Sequence, residues 1–81
     1  MSIISETING TLISVIINSS NLSSAIYDTV NKLLTITFKN GSIYEYEDVP
    51  WEIFTKFRLS DSQGKYFSQN ISKKYKYKKN G

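Results

Sequence analysis

The sequence predicts an α+β fold: a small antiparallel sheet of three to five strands, packed against one or two helices. Three observations point there. A β-branched run, TLISVIIN, is followed by two alternating apolar runs that flank Asn40-Gly41, and Pro50 then opens a segment, PWEIFTKFRL, whose apolar residues recur at helical spacing.

In chain order, residues 11–18 read as a strand with Ile13, Val15 and Ile17 on one face and Leu12 and Ile16 on the other. Both faces are apolar, so the strand is either buried or turned toward a partner subunit. NSSNLSS is turn chemistry, because Asn and Ser side chains bond nearby backbone groups and compete with regular structure. SSAIYD reads as the next strand, with Asp28 to Asn31 turning the chain into the hairpin KLLTITFKNGSIYEYEDVP. There Leu34, Ile36 and Phe38 share a side, and Ile43 alternates with Tyr44 and Tyr46. Asn-Gly at the centre predicts a type I′ turn with φ > 0 at both positions. Pro50 fits the first helical turn, with Asp48 or Val49 as the cap region, and Trp51, Ile53, Phe54, Phe57 and Leu59 form a broad stripe that should pack on the sheet. SDSQGKYFSQNI follows as a turn and a second short helix.

A chain of 81 residues is one domain. At that size only about 60% of the unfolded surface is buried, so the core is thin. With no Cys and no His, disulfides and most structural metals are excluded as reinforcement, which favours a homo-oligomer. No apolar run reaches the roughly 18 residues of a membrane span, and MSIISETINGTL lacks the basic region and long apolar core of a leader, so a cytoplasmic protein that avoids membranes is expected.

The formal charge of +3 is unevenly spread. Residues 1–40 balance Lys32 and Lys39 against Glu6 and Asp28. Residues 41–64 are acidic. Residues 65–81 carry Lys65, Lys73, Lys74, Lys76, Lys78 and Lys79 with no acid, which suggests an anionic partner for the C-terminal surface.

Two stretches could grip such a partner. Gly64, after Ser-Gln, permits a backbone bend that exposes N–H groups at the start of the following helix, so that Ser62, Gly64 and Lys65 would cradle a phosphate. The competing reading is a plain turn in which Tyr66 and Phe67 fill the core. In the tail KKYKYKK, Lys73, Lys74, Lys76, Lys78 and Lys79 interleave with Tyr75 and Tyr77, a pattern suited to phosphates and stacked bases. As an edge strand the same segment would send tyrosines to one face and lysines to the other, its charges guarding against aggregation. Catalysis has little support. Nucleophilic chemistry would need Ser with Lys, and metal chemistry would need clustered carboxylates such as Glu45, Glu47 and Asp48, of which the first two alternate with tyrosines as a solvated face. The chain is read as a non-enzyme without cofactor or metal.

SNLSSAIYD at 20–28, LLTITFKNGSIYEYEDVP at 33–50 and SDSQGKYFSQNI at 60–71 together resemble the KTSC domain, a family named for its occurrence at the C-terminus of some lysyl-tRNA synthetases and found also as short bacterial and phage proteins. The resemblance covers about residues 18–77, with the strand at 11–18 before it and the basic segment 73–81 at its end, so residues 1–81 form a single such domain. Family-like positions are Ser20, Tyr27, Asp28, Phe38, Gly41, Tyr44, Tyr46, Val49, Pro50, Ser62, Gly64, Tyr66, Phe67 and Ile71. Two departures stand out: Gln63 where the family has Lys or Arg, and Ser68 where it has Asn. If the family's cation serves a phosphate, Lys65 or the tail must replace it. The resemblance implies more about fold than about activity. The expected function is binding of a phosphate-bearing nucleotide at a subunit interface, in a phage setting as the sequestration of a host defence signal. The alternatives are an RNA or single-stranded nucleic-acid module and a protein-interaction module that uses the apolar faces of the first strand.

Overall fold

The computed structural model describes residues 2–80, and side chains from Ser5 onward. Strands β1 (Ser2–Asn9), β2 (Leu12–Asn18), β3 (Leu22–Asp28), β4 (Leu33–Phe38), β5 (Ile43–Tyr46) and β6 (Tyr77–Lys79) form one antiparallel sheet in sequence order. Helices α1 (Trp51–Leu59) and α2 (Gln63–Asn70) intervene between β5 and β6 and cover one face. The fold is α+β as expected, with six strands rather than three to five.

Alternation sorts the residues. Ile13, Val15, Ile17, Ala25, Tyr27, Leu34, Ile36 and Tyr46 are buried on the covered face with Phe54 and Phe57 of α1 and Phe67 of α2, while Leu12, Ile16 and Ile26 face away and stay exposed. Tyr27 stacks on Phe54 at 4.5 Å, and its hydroxyl donates to the Val49 carbonyl at 2.7 Å, tying β3 to the entry of α1. Arg58 of α1 reaches β1, pairing with Glu6 at 2.8 Å while its guanidinium lies over the Trp51 and Phe54 rings. α1 therefore lies over β1 to β3. Phe67 meets Phe38 and Tyr46, which sets α2 over β4 and β5.

Four local expectations are corrected. Strand β1 was not anticipated; the first Asn-Gly turns it into β2, with Gly10 at φ +64° and Asn9 paired with Leu12, the glycine-first pattern of a two-residue hairpin. In the β4–β5 turn only Gly41 has positive φ, +92°, so the type I′ turn is absent. Phe38 O instead accepts from Gly41 N at 3.0 Å and Phe38 N donates to Ser42 O at 2.8 Å, a three-residue loop whose glycine forms the bulge. Pro50 is the N-cap of α1 rather than its first helical residue, with its carbonyl accepting from Ile53 and Phe54. Gly64 is no bend: it lies inside the first turn of α2 without positive φ, and a Cβ there would come 2.8 Å from Asn21 Oδ1 and 3.0 Å from Ser19 Oγ. Glycine lets the Asn21 and Ser19 side chains of the β2–β3 loop lie against the helix, and a larger residue would have to displace them.

Candidate functional site

The sheet is wider than its helices. Beyond α2, the covered face opens into a groove of about 300 Å³ lined by Phe38, Asn40, Ser42, Tyr44, Tyr46, Phe67, Ser72 and Tyr77. Strand register assembles it. Tyr46 pairs with Leu34 on one side and Tyr77 on the other, and Tyr44 pairs with Ile36 and Lys79, so the two β5 tyrosines stand between β4 and β6 on the same face. Phe67 descends from α2 onto this row, 5.3 Å from Tyr46 and 5.6 Å from Phe38. Tyr77 closes the far side, 5.4 Å from Tyr44 and 5.5 Å from Tyr46.

Phe67 and Tyr46 form a buried floor, Phe38 and Tyr44 are partly covered, and Tyr77 is 54% exposed. Burial, with Tyr77 and Tyr44 adding to it, pushes the Tyr46 hydroxyl up to about 12, so it stays protonated in any neutral solution. Apart from the tyrosine hydroxyls, the polar lining is Asn40, Ser42 and Ser72. Asn40 Oδ1 accepts from Ser42 N at 2.9 Å, and Ser72 Oγ donates to Ser68 O at 3.0 Å. The result is a stacking slot with a few hydrogen-bonding groups at its mouth.

A second cleft adjoins it, lined by Glu47, Lys73, Lys74, Tyr75, Lys76, Tyr77 and Lys78. Two bonds flank the β5–β6 pairing: Glu47 N, just past the end of β5, donates to Lys76 O at 2.9 Å, and Asn80 N donates to Ile43 O at the start of β5 at 2.7 Å. All of these lysines are exposed. Tyr77 belongs to both clefts, with aromatic rings on one side and cations on the other. Lys79, opposite Tyr44 and two residues after Tyr77, lies on the groove side of the strand. The edge strand is only Tyr77–Lys79, and the expected separation of tyrosines from lysines fails there, since Lys79 shares the face of Tyr77 while Tyr75 packs against the core.

The residues expected at the start of α2 do not join this site as a group. Ser62, Lys65 and Tyr66 line a separate shallow cleft with Ser60, Asp61 and Gln69, while Gly64 faces the β2–β3 loop. Ser62 is the N-cap, its Oγ accepting from Lys65 N at 3.3 Å, so one of the N–H groups available to an anion is already engaged. Burial, with Tyr75 adding to it, raises the Tyr66 hydroxyl above its ordinary value. Gln63 is buried and staples the helix pair, Nε2 donating to Arg58 O at 3.2 Å and Ser60 O at 3.0 Å, so it cannot stand in for a surface cation.

Reading the sequence left Phe38, Asn40, Ser42, Tyr44, Tyr46, Phe67 and Ser72 outside the site. The usable signal was the excess of tyrosine in YEY and YKY, more aromatic surface than two short helices can cover. No group of three His, Cys, Asp or Glu residues able to hold a metal occurs among the described residues. Nor is any helix among them long and apolar enough to cross a membrane.

Residues 18–75 match the family model of the KTSC domain. The crystal structure of a KTSC domain protein from Yersinia pestis superimposes with a TM-score of 0.79 at 31% identity, covering 86% of this chain and 99% of that one. An uncharacterized protein of Stutzerimonas stutzeri is 38% identical over 55 residues, 68% of this chain and 78% of the relative. A lysine–tRNA ligase of Trichormus variabilis is 37% identical over 51 residues, which are 63% of this chain and only 9% of the ligase.

Proposed function

The chain belongs to the KTSC domain family, and on that premise we propose that it is a non-enzymatic holder of a phosphate-bearing nucleotide, with the base in the aromatic groove and the phosphates on the lysines of residues 73–79. The observation that carries this reading is the position of Tyr77, which walls both the aromatic groove and the lysine cleft. Stacking of a base on an aromatic side chain contributes about 1–3 kcal/mol, and lysines attract phosphate with release of counterions. A ligand with both parts gains from both only where the two surfaces meet.

Size supports the same class. A space of about 300 Å³ is at the small end of ligand pockets and suits a single base rather than a large cofactor. The chain has no His or Cys to serve as general base or nucleophile, in keeping with holding a ligand rather than converting it. A cytoplasmic setting, and in a phage the withholding of a host signal, are uses that such a holder would fit.

A second reading, single-stranded RNA, is favoured by the openness of the lysine cleft, which continues along the surface from Tyr77 to Lys73, and by relatives named as lysine–tRNA ligases. Titration calorimetry against nucleoside monophosphates, cyclic dinucleotides and a short oligouridylate separates the two. The nucleotide reading expects saturable binding at one site per chain, lost about 10-fold or more in Tyr77→Ala and abolished for the unphosphorylated nucleoside. The RNA reading expects the oligomer to bind far better than any mononucleotide, with a steep salt slope. Absence of binding to all of them at low salt overturns both.

A further inference from the structure

The face of the sheet opposite the helices is bare in the described structure, and it carries the exposed Leu12, Ile16 and Ile26, at 40, 51 and 40% exposure. We propose that two copies of this chain pack these open faces together, sheet on sheet, about a two-fold axis lying in the interface.

The strand register makes the face complementary to itself. Ser14 is paired with Ile26, and Ile16 with Ser24, across β2 and β3. These four residues form a square with isoleucine at two opposite corners and serine at the other two. Turning a second copy over about an in-plane axis along either midline of the square sets each isoleucine of one copy above a serine of the other. Knobs then meet hollows at all four corners, and the two sheets can approach at the usual ~10 Å. Strand β1 extends the floor with Ser5 and Thr7, while β4 does so with Thr35 and Thr37, all small and uncharged.

Charge points to a second copy too. Within the strands, the charged side chains on this face are Asp28, at the end of β3, and the cross-strand neighbours Glu45 and Lys78 at the far edge, with Glu47 and Lys76 just beyond them. Asp28 is engaged by its own turn, its carboxylate accepting from Val30 N, Asn31 N and Asn31 Nδ2. A strongly charged partner finds no counterpart in the centre of the face, whereas an identical face brings neither repulsion nor an unpaired ion. The area suffices: the two longer extents of the molecule, 28 and 24 Å, bound a face of the order of the ~800 Å² per partner of a standard interface. The aromatic groove lies on the other side of the sheet, so both copies keep it open, and of the lysine cleft Lys78 lies at the far edge of the paired face.

Sedimentation equilibrium of the full chain tests this. A dimer is expected at micromolar concentration, with Ile16→Lys and Ile26→Lys each weakening association by about 100-fold and the double variant monomeric throughout, at unchanged near-ultraviolet circular dichroism. Ser24→Phe, which fills a hollow and leaves both isoleucines in the sequence, should weaken it as well. A wild-type chain that stays monomeric to about 0.1 mM overturns the proposal. So does a dimer that survives the double variant, or one broken only by proline in the β1 edge.

Discussion

Two aromatic clusters share the covered face of the sheet and have opposite fates. Under α1, Tyr27, Phe54 and Phe57 are at most 1% exposed, with Trp51 and Arg58 closing the rim. Beside α2, Phe67 and Tyr46 are buried as well, but Phe38 and Tyr44 are only partly covered and Tyr77 stands open to solvent. The residue types are the same. What differs is cover: six strands span about 24 Å, and two helices of about 10 Å each cannot reach the last of them. The surplus width becomes the groove, so aromatic residues at one end of the sheet hold the fold together while those at the other remain available.

The sharpest test of that contrast is Phe54→Ala. Emptying the sealed cluster should cost about 3–5 kcal/mol in urea unfolding, enough to leave so small a domain near the edge of folding. Next is the floor that both roles share. Tyr46 titrates near 10 when unfolded and is pushed up to about 12 in the fold, so the fold favours its neutral form. That stabilisation is complete below pH 10 and is lost as pH rises toward 12, an alkaline decline of about 2–3 kcal/mol that Tyr46→Phe should lack. Tyr27→Phe leaves the buried Val49 carbonyl without its donor and should lower stability by about 1–2 kcal/mol, with ligand binding intact. Tyr77→Ala should change stability by less than about 1 kcal/mol while weakening binding about 10-fold or more. If thermal melts showed Tyr77→Ala as damaging as Phe54→Ala, the division into a sealed and an open cluster would fail.

The fold was legible where a local rule decided it. The alternation in 33–46 and the stripe in 51–59 placed the central hairpin and α1, and the two-faced apolar pattern of 11–18 separated Ile13, Val15 and Ile17 from Leu12 and Ile16 as the structure does. β1 escaped because SETIN is polar and its strand character comes from pairing with β2, although Asn9-Gly10 repeats the dipeptide read correctly as a turn at 40–41. The β4–β5 turn type was missed because the loop holds three residues, with Lys39 ahead of Asn40-Gly41, although Gly41 does have the positive φ expected of it; Gly64 was misread for another reason. A glycine signals either positive φ or close approach, and only the neighbouring chain, Ser19 and Asn21 at Gly64, shows which. The groove was hidden because its walls come from β4, β5, α2 and β6, joined by the Tyr46–Tyr77 pairing across two helices. Local periodicity carries no record of such a contact.

That distant pairing has a dynamic consequence. β6 is three residues long, uncovered by any helix, and held to one neighbour only, so its amides should be among the first to open and exchange with solvent. The outer wall of the groove is then a hinged flap rather than a fixed jamb, and a guest lodged in the groove against Tyr77 would act as the clasp that shuts it. Deuterium uptake at residues 77–79, slowed on adding a ligand while the rest of the sheet is unmoved, would report that clasp directly.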